Sequence, residues 1–295
     1  MSTILAEQTA SSALPAASDE RARPTRLRSL RALAARPGIV LSAVYLLILI
    51  GWALLPDVFA PTDPVAQVGA SLDPPSSAHW FGTDLNGRDV YSRVVHGART
   101  SLGAGVVAVL ISLTVGGLLG MIAGYAGGVI DAIISRSVEV VVAIPGLLLS
   151  LAIVSILGFG VDKVAVAVGI AGIPGFVRIA RAQTLRVIEL PFMDAARTSG
   201  TSAIRSILTH VLPNAVGAIA VVAGIDLGGA ILSVASLSFL GFGAVPPHPE
   251  WGSQINEGRL YIATAWWWSM LPALVAGGTV LAVNRLSRGI GTRSA

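Results

Sequence analysis

Six apolar runs, each near the length that crosses a bilayer, constrain this chain more than any other feature. They lie at Gly38–Leu55, Leu102–Ala126, Val138–Leu157, Val164–Ile179, Ala215–Ser236 and Ala263–Val283, and a helix needs about 20 such residues to span the hydrocarbon core. With 54% hydrophobic and 12% charged residues, against roughly 25% charged in a soluble domain, the chain has too little polar surface for a water-facing fold. The expected fold class is an all-α membrane protein of six transmembrane helices with both termini on one side. The fourth run contains Gly172, Pro174 and Gly175, so a kink or break is expected there.

The arginines give the direction. Of the 20 basic residues, one set of connecting segments holds only Arg88, Arg93, Arg99, Lys163 and Arg259. The rest, from Arg21, Arg23, Arg26, Arg28, Arg31 and Arg36 in the head to Arg285, Arg288 and Arg293 at the end, fall on the other side, which the positive-inside bias makes cytoplasmic. Residues 1–37, polar and rich in Ala, Ser and Pro, read as a disordered basic cytoplasmic tail. Residues 38–100 read as the first helix and an extracytoplasmic loop, 101–285 as a core of five helices, and 286–295 as a cytoplasmic C-terminal tail. The first apolar run is long enough to span, so it reads as an uncleaved helix rather than a signal peptide.

Gly116, Gly120 and Gly124 in the second run, and Gly224 and Gly228 in the fifth, recur at four-residue spacing. Such stripes let helix backbones approach closely, and packing within the bundle is the favoured reading. Tyr261, Trp266, Trp267 and Trp268 stand where the sixth run meets the outer interface and are expected to be aromatic anchors.

Several chemistries are excluded. There is no cysteine, hence no disulfide or thiolate site. Lys163 is the only lysine, and it follows Asp162 rather than a glycine-rich loop, so this chain carries no phosphate-binding loop of its own. His79, His96 and His248 share the outer side but show no metal-ligand spacing, and neither a metal site nor a catalytic residue is expected.

The most informative segment is the inner connection 182–213 between the fourth and fifth runs. Pro191 suits the first position of a helix, Asp194 lies in its first turn, and Gly200 supplies a left-handed stop. Thr201 or Ser202 caps a second helix through Ile204, Ile207 and Leu208, and Pro213 closes the segment before the fifth span. A helix of about eight residues is marginal alone in water. One exposing Phe192, Met193, Ala195 and Ala196 is expected to need a protein groove. An amphipathic helix on the inner leaflet would want more basic residues than Arg197.

Asp194-Ala195-Ala196, three residues, Gly200, nine residues and then His210-Val211-Leu212-Pro213 resembles the Glu-Ala-Ala loop of ABC importer membrane subunits. In that family the short helix couples the bundle to the ATP-binding subunit, which by resemblance assigns Phe192, Met193, Asp194, Ala195, Ala196, Arg197, Gly200 and Pro213 to ATPase coupling. Asp194 stands where the family usually has Glu. Two outer segments, His79-Trp80-Phe81-Gly82-Thr83-Asp84 with Gly87-Arg88-Asp89, and Leu237-Ser238-Phe239-Leu240-Gly241-Phe242-Gly243 with Pro246-Pro247 and Trp251-Gly252, resemble the C-type permease of dipeptide, oligopeptide and nickel importers. Asp84, Arg88, Asp89 and Arg93 are expected to pair among themselves and brace the outer loop.

The resemblance implies a type I importer permease in the bacterial plasma membrane. Its implied partners are a second homologous permease, two cytoplasmic ATP-binding subunits and an extracytoplasmic solute-binding protein, with ATP and magnesium on the partner ATPases and no cofactor on this chain. The cargo it implies is dipeptides or short oligopeptides, with nickel or a nickel chelate as the alternative within the family. The alternative outside it is an ion-driven secondary transporter, which would need midplane ion sites. Relatives often carry an acidic residue where this chain has Val234. Asp226, eight residues earlier, stands about 80° away around the helix, and either lines the translocation path or makes a buried hydrogen bond to a neighbouring helix.

Overall fold

The computed structural model describes residues 37–291. Residues 1–36 and 292–295 lie outside it, and with them the expected N-terminal tail. Five helices are long and apolar enough to cross a membrane, or six when a bent pair is counted as one span. No strand occurs among the described residues.

In order, α1 covers Pro37–Leu54 and α2 Pro56–Phe59, followed by the outer loop; α3 covers Val90–Ala126, and α4 (Gly128–Val142) and α5 (Gly146–Leu157) form the bent pair. Then α6 runs over Val161–Ile188, α7 over Pro191–Thr198 and α8 over Ala203–Ser206, which a π turn at Ile207–Val211 joins to α9, Leu212–Leu237. A second π turn, Ser238–Phe242, ends that rod. The short outer helix α10 spans Trp251–Gly258, and α11 runs over Trp266–Gly291, through the start of the expected C-terminal tail.

The break falls in the third span, not the fourth. Ala143 to Pro145 separate α4 from α5, and the chain turns by 90° there. Pro145 has no N–H and disfavours helical geometry at Ile144 before it, so the helix stops. By contrast, α6 runs unbroken through the buried Pro174. This stretch of α6 lies against α3, where a Cβ at Gly116 would sit 2.6 Å from Ile173 O and the Ser112 hydroxyl donates to Gly169 O at 2.7 Å. Pro213 likewise fails to close its segment, because the π turn before it takes up the missing donor. Leu212 N reaches back to Ile207 O, and Asn214 Nδ2 donates to His210 O at 2.7 Å. The second span also starts earlier than its apolar run, at Val90, where the Asp89 carboxylate caps the helix by accepting from Ser92 N at 2.7 Å.

The glycine stripes fix the helix pairs. A Cβ at Gly116 would sit 2.6 Å from Ile173 O, one at Gly120 would meet Val177 O, and one at Gly124 would lie 2.8 Å from Thr184 Cβ, so this face of α3 lies directly on α6. Gly224 and Gly228 of α9 face Ser287 and Asn284 of α11 in the same way. One apolar core joins α3, α5, α6 and α9, and Met193 of α7 belongs to it. A second core joins α1, the start of α3, α10 and α11.

Trp267 and Trp268 belong to that second core and are buried, with Trp267 Nε1 donating to Thr83 O at 3.2 Å. Only Trp266 is well exposed, and Tyr261 is half-buried and stacked on Trp268, so the expected anchor of Tyr261 and three tryptophans is corrected. Neighbours on a helix point about 100° apart, and three in a row cannot all face lipid.

Candidate functional site

The outer loop is held by charge. Asp84, fully buried, accepts from Arg88 Nε at 2.7 Å and from the backbone N–H groups of Asn86 and Arg88, and stands 3.6 Å from Arg93 Nε. Arg93, buried in the first turn of α3, also donates to the carbonyls of Pro64 and Pro247, each at 3.2 Å. Asp89 stands apart from these pairs: it caps α3 and meets His79 Nδ1 at 3.1 Å. The fourth member is instead Glu257 of α10, 3.6 Å from Arg93 and 3.9 Å from Arg88. Burial pushes its carboxyl above the usual range, while Arg93 and Arg88 pull it back.

Glu250 is the other residue that sequence reasoning missed. Fully buried, it caps α10 by accepting from Gly252 N at 2.9 Å and Ser253 N at 2.8 Å, and receives the Ser101 hydroxyl at 3.2 Å. Burial raises its pKa and the two backbone donors oppose the rise. Trp251 beside it is buried and donates Nε1 to Val94 O at 2.9 Å. An acidic residue directly before Trp251-Gly252 was the available signal.

At the opposite end, α7 begins at Pro191 and ends in a Schellman turn. Gly200 takes a φ of +72°, with Thr201 N bonded to Ala196 O and Ser199 N to Ala195 O. Phe192, Asp194 and Ala195 are exposed and Ala196 half-buried. Met193 is not: its side chain is fully buried in the apolar core, correcting the expectation that it faces outward. The reason is periodicity, since an eight-residue helix needs one residue turned into the bundle to stay docked. Phe192 packs on His210 with the rings tilted by 52° and 5.9 Å between their centres. Arg197 lies within α7, and Pro213 is the second residue of α9 rather than a contact of α7.

Between these ends, α3, α5, α6 and α9 enclose a cavity of about 210 Å³. Asp226 lines it, together with the hydroxyl residues Ser112, Ser150 and Ser233. The Asp226 carboxylate makes no hydrogen bond or ion pair among the described residues, so the expected alternative, a bond to a neighbouring helix, is absent there. The sequence signalled the aspartate; the serines carry no signal, because Ser is common in membrane helices and only the fold brings these three together. No group of three His, Asp or Glu residues among the described residues has the geometry to hold a metal ion.

Residues 116–292, from the glycine stripe through α7 and the cavity helices, match the family described as binding-protein-dependent transport system inner membrane component. The chain is 44% identical over 216 residues, 73% of its length and 72% of the relative's, to the glutathione transport system permease protein GsiD of Pectobacterium atrosepticum. It is 39% identical over 255 residues, 86% of each chain, to the probable D,D-dipeptide transport system permease protein DdpC of Escherichia coli. The dipeptide transport system permease protein DppC of Alkalihalophilus pseudofirmus is 39% identical over 254 residues, 86% of this chain and 82% of that one. With its membrane helices, its α7 loop and these relatives, the chain belongs to the binding-protein-dependent transport system inner membrane components, the multi-pass permease subunits of ABC importers.

Proposed function

We propose that the chain is the permease through which an ATP-driven importer moves dipeptides or short oligopeptides into the cytoplasm. The observation that carries the reading is the Asp226 carboxylate, set in a cavity between four helices with no protein partner among the described residues. A carboxylate at membrane depth is costly unless it serves a pathway or a partner, and a peptide's α-ammonium group is the complementary charge. The glutathione and dipeptide systems named among the relatives support a peptide over a nickel cargo. At about 210 Å³, the cavity is smaller than the roughly 300–1,000 Å³ of a complete ligand pocket. One wall of the path on this chain and another on a second, homologous permease accounts for that size.

The energy comes from two cytoplasmic ATP-binding subunits, which hold ATP and magnesium, and the cargo arrives on an extracytoplasmic solute-binding protein. The face of α7 that exposes Phe192, Asp194 and Ala195 seats in a groove of the ATPase, Ala196 and Arg197 belong to the same coupling segment, and Gly200 sets its end. Met193 carries its displacement into the core. The N-terminus is cytoplasmic, which puts α7 on the side of the ATPases. Closing the ATPase pair shifts the bundle between inward-open and outward-open states. Asp84, Arg88, Asp89 and Arg93 keep the outer loop fixed while it does so.

The test is uptake by the assembled complex in proteoliposomes. Asp226→Asn is expected to slow uptake of a free dipeptide at least tenfold, about 1.4 kcal/mol of lost charge pairing, while leaving the N-acetylated dipeptide unchanged. Equal uptake of the free dipeptide by variant and parent would remove Asp226 from the path. Transport by the isolated chain without ATPases would overturn the whole reading.

A further inference from the structure

Helices α3, α4, α5 and α6 enclose a second, larger cavity of about 430 Å³, walled by apolar side chains such as Leu119, Ile133, Ile134, Ile173 and Pro174. A polar cavity of about 300 Å³ adjoins it, and Val138 and Val177 line both. The remaining walls of the polar part are Ser135, Glu139, Arg178 and Arg181. Two of the charges here are already matched. Arg181 grips Asp131 with two hydrogen bonds, at 2.5 and 2.6 Å, and Arg136 pairs with Glu139 at 2.8 Å. Arg178 is exposed and has no acidic partner among the described residues. The polar end therefore carries one unmatched positive charge.

Depth gives the pair of cavities its meaning. At 1.5 Å per residue, Arg178 lies about 25 Å along α6 from its outer start, near the cytoplasmic edge of a core roughly 30 Å thick. The apolar cavity takes in residues Ile170 to Val177 of α6, roughly 2 to 12 Å further into the bilayer. A cation at headgroup level above an apolar slot at acyl depth is the outline of an amphiphile. A helix from a neighbouring chain would fill the slot but would need a carboxylate of its own at that depth to match the guanidinium, whereas any anionic phospholipid supplies both halves.

We propose that this groove binds an anionic phospholipid of the cytoplasmic leaflet, with its phosphate on Arg178 and one acyl chain in the slot between α4 and α6. The site is separate from the Asp226 path and adds a lipid requirement to the proposed transport cycle.

The test uses the assembled transporter in nanodiscs and native mass spectrometry, with phosphatidylglycerol and phosphatidylcholine as probes. The parent is expected to retain phosphatidylglycerol preferentially, and Arg178→Gln to weaken that retention about fivefold, the share of one interfacial arginine, with phosphatidylcholine unaffected. Ile133→Trp, which fills the slot from an exposed position, is expected to expel both lipids. Because the chain has no cysteine, a cysteine-directed cross-linker at Ile133→Cys reads the occupant directly, and capture of a photoactivatable phosphatidylglycerol supports the site. Equal retention of the two lipids by the parent, an unchanged Arg178→Gln, or capture of the second permease at Ile133→Cys would each overturn it.

Discussion

The two ends of this bundle are built on opposite principles. At the end away from α7, buried charges and a buried indole tie the loop, α10 and the start of α3 together: Asp84, Arg93, Glu250 and Trp251 each hold a near-zero exposure, and bonds from Arg93, Ser101 and Trp251 join segments about 150 positions apart. At the other end, α7 closes on a Schellman turn of its own backbone and enters the core through Met193. On the proposed coupling role, the cross-braced end is the fixed frame, and α7 is the lever held to it at one point.

Breaking the brace has the largest expected effect. Asp84→Ala removes the acceptor of Arg88 Nε and leaves two guanidinium groups at the outer end without their central counter-charge. Removing one partner of a buried ion pair costs about 3–5 kcal/mol. We expect the variant to melt far below the parent, or to fail to accumulate in the membrane, as read by thermal unfolding of purified protein and by membrane yield. A parent-like melting temperature would mean that the loop is held by its apolar contacts alone.

The lever is expected to fail differently. Met193→Ala removes a buried side chain at a cost of roughly 2 kcal/mol, but the loss falls on α7 rather than on the bundle. Amide exchange in α7 is expected to rise about thirtyfold, with the bundle's melting temperature nearly unchanged and uptake lost. Ala195→Asp, on the exposed face, is expected to leave both exchange and melting alone and still lower uptake, because it alters only the partner surface. Should Met193→Ala unfold the whole bundle, α7 would be part of the scaffold and the contrast between the ends would vanish.

Much of this contrast was legible in the residues. Pro191, Asp194 and Gly200 mark α7 correctly, because a proline start and a left-handed glycine stop act locally and need no neighbours. The prolines inside spans were not legible in the same way. Pro145 breaks its helix and Pro174 does not, although both prolines lack the same N–H; Pro174 lies in the stretch of α6 packed on the glycine stripe of α3, which the sequence alone does not reveal. Glu250 and Glu257 went unread for a related reason: a single carboxylate in a loop looks solvated until the fold buries it beside its donors. Periodicity and capping are properties of a segment, whereas support of a proline-bearing span or of a buried charge belongs to a pair of segments.

The smallest effect sharpens what the brace is made of. Burial lifts the Glu257 carboxyl above its ordinary value of 4.5, against the pull of Arg93 and Arg88. A carboxyl with a higher pKa in the folded protein keeps its proton there after the unfolded chain has released it. Its contribution is therefore fully present below the unfolded value and is lost as pH rises through the folded one. Glu257→Gln has the same shape and no titration. We expect the parent's melting temperature, measured relative to this variant, to decline slightly as pH is raised from about 4 to 7. A parent that gains stability over the variant across that range would show the reverse balance: the ion pairs at 3.6 and 3.9 Å would outweigh desolvation, and the outer end would be held by Coulomb attraction rather than by the hydrogen bonds that converge on Asp84.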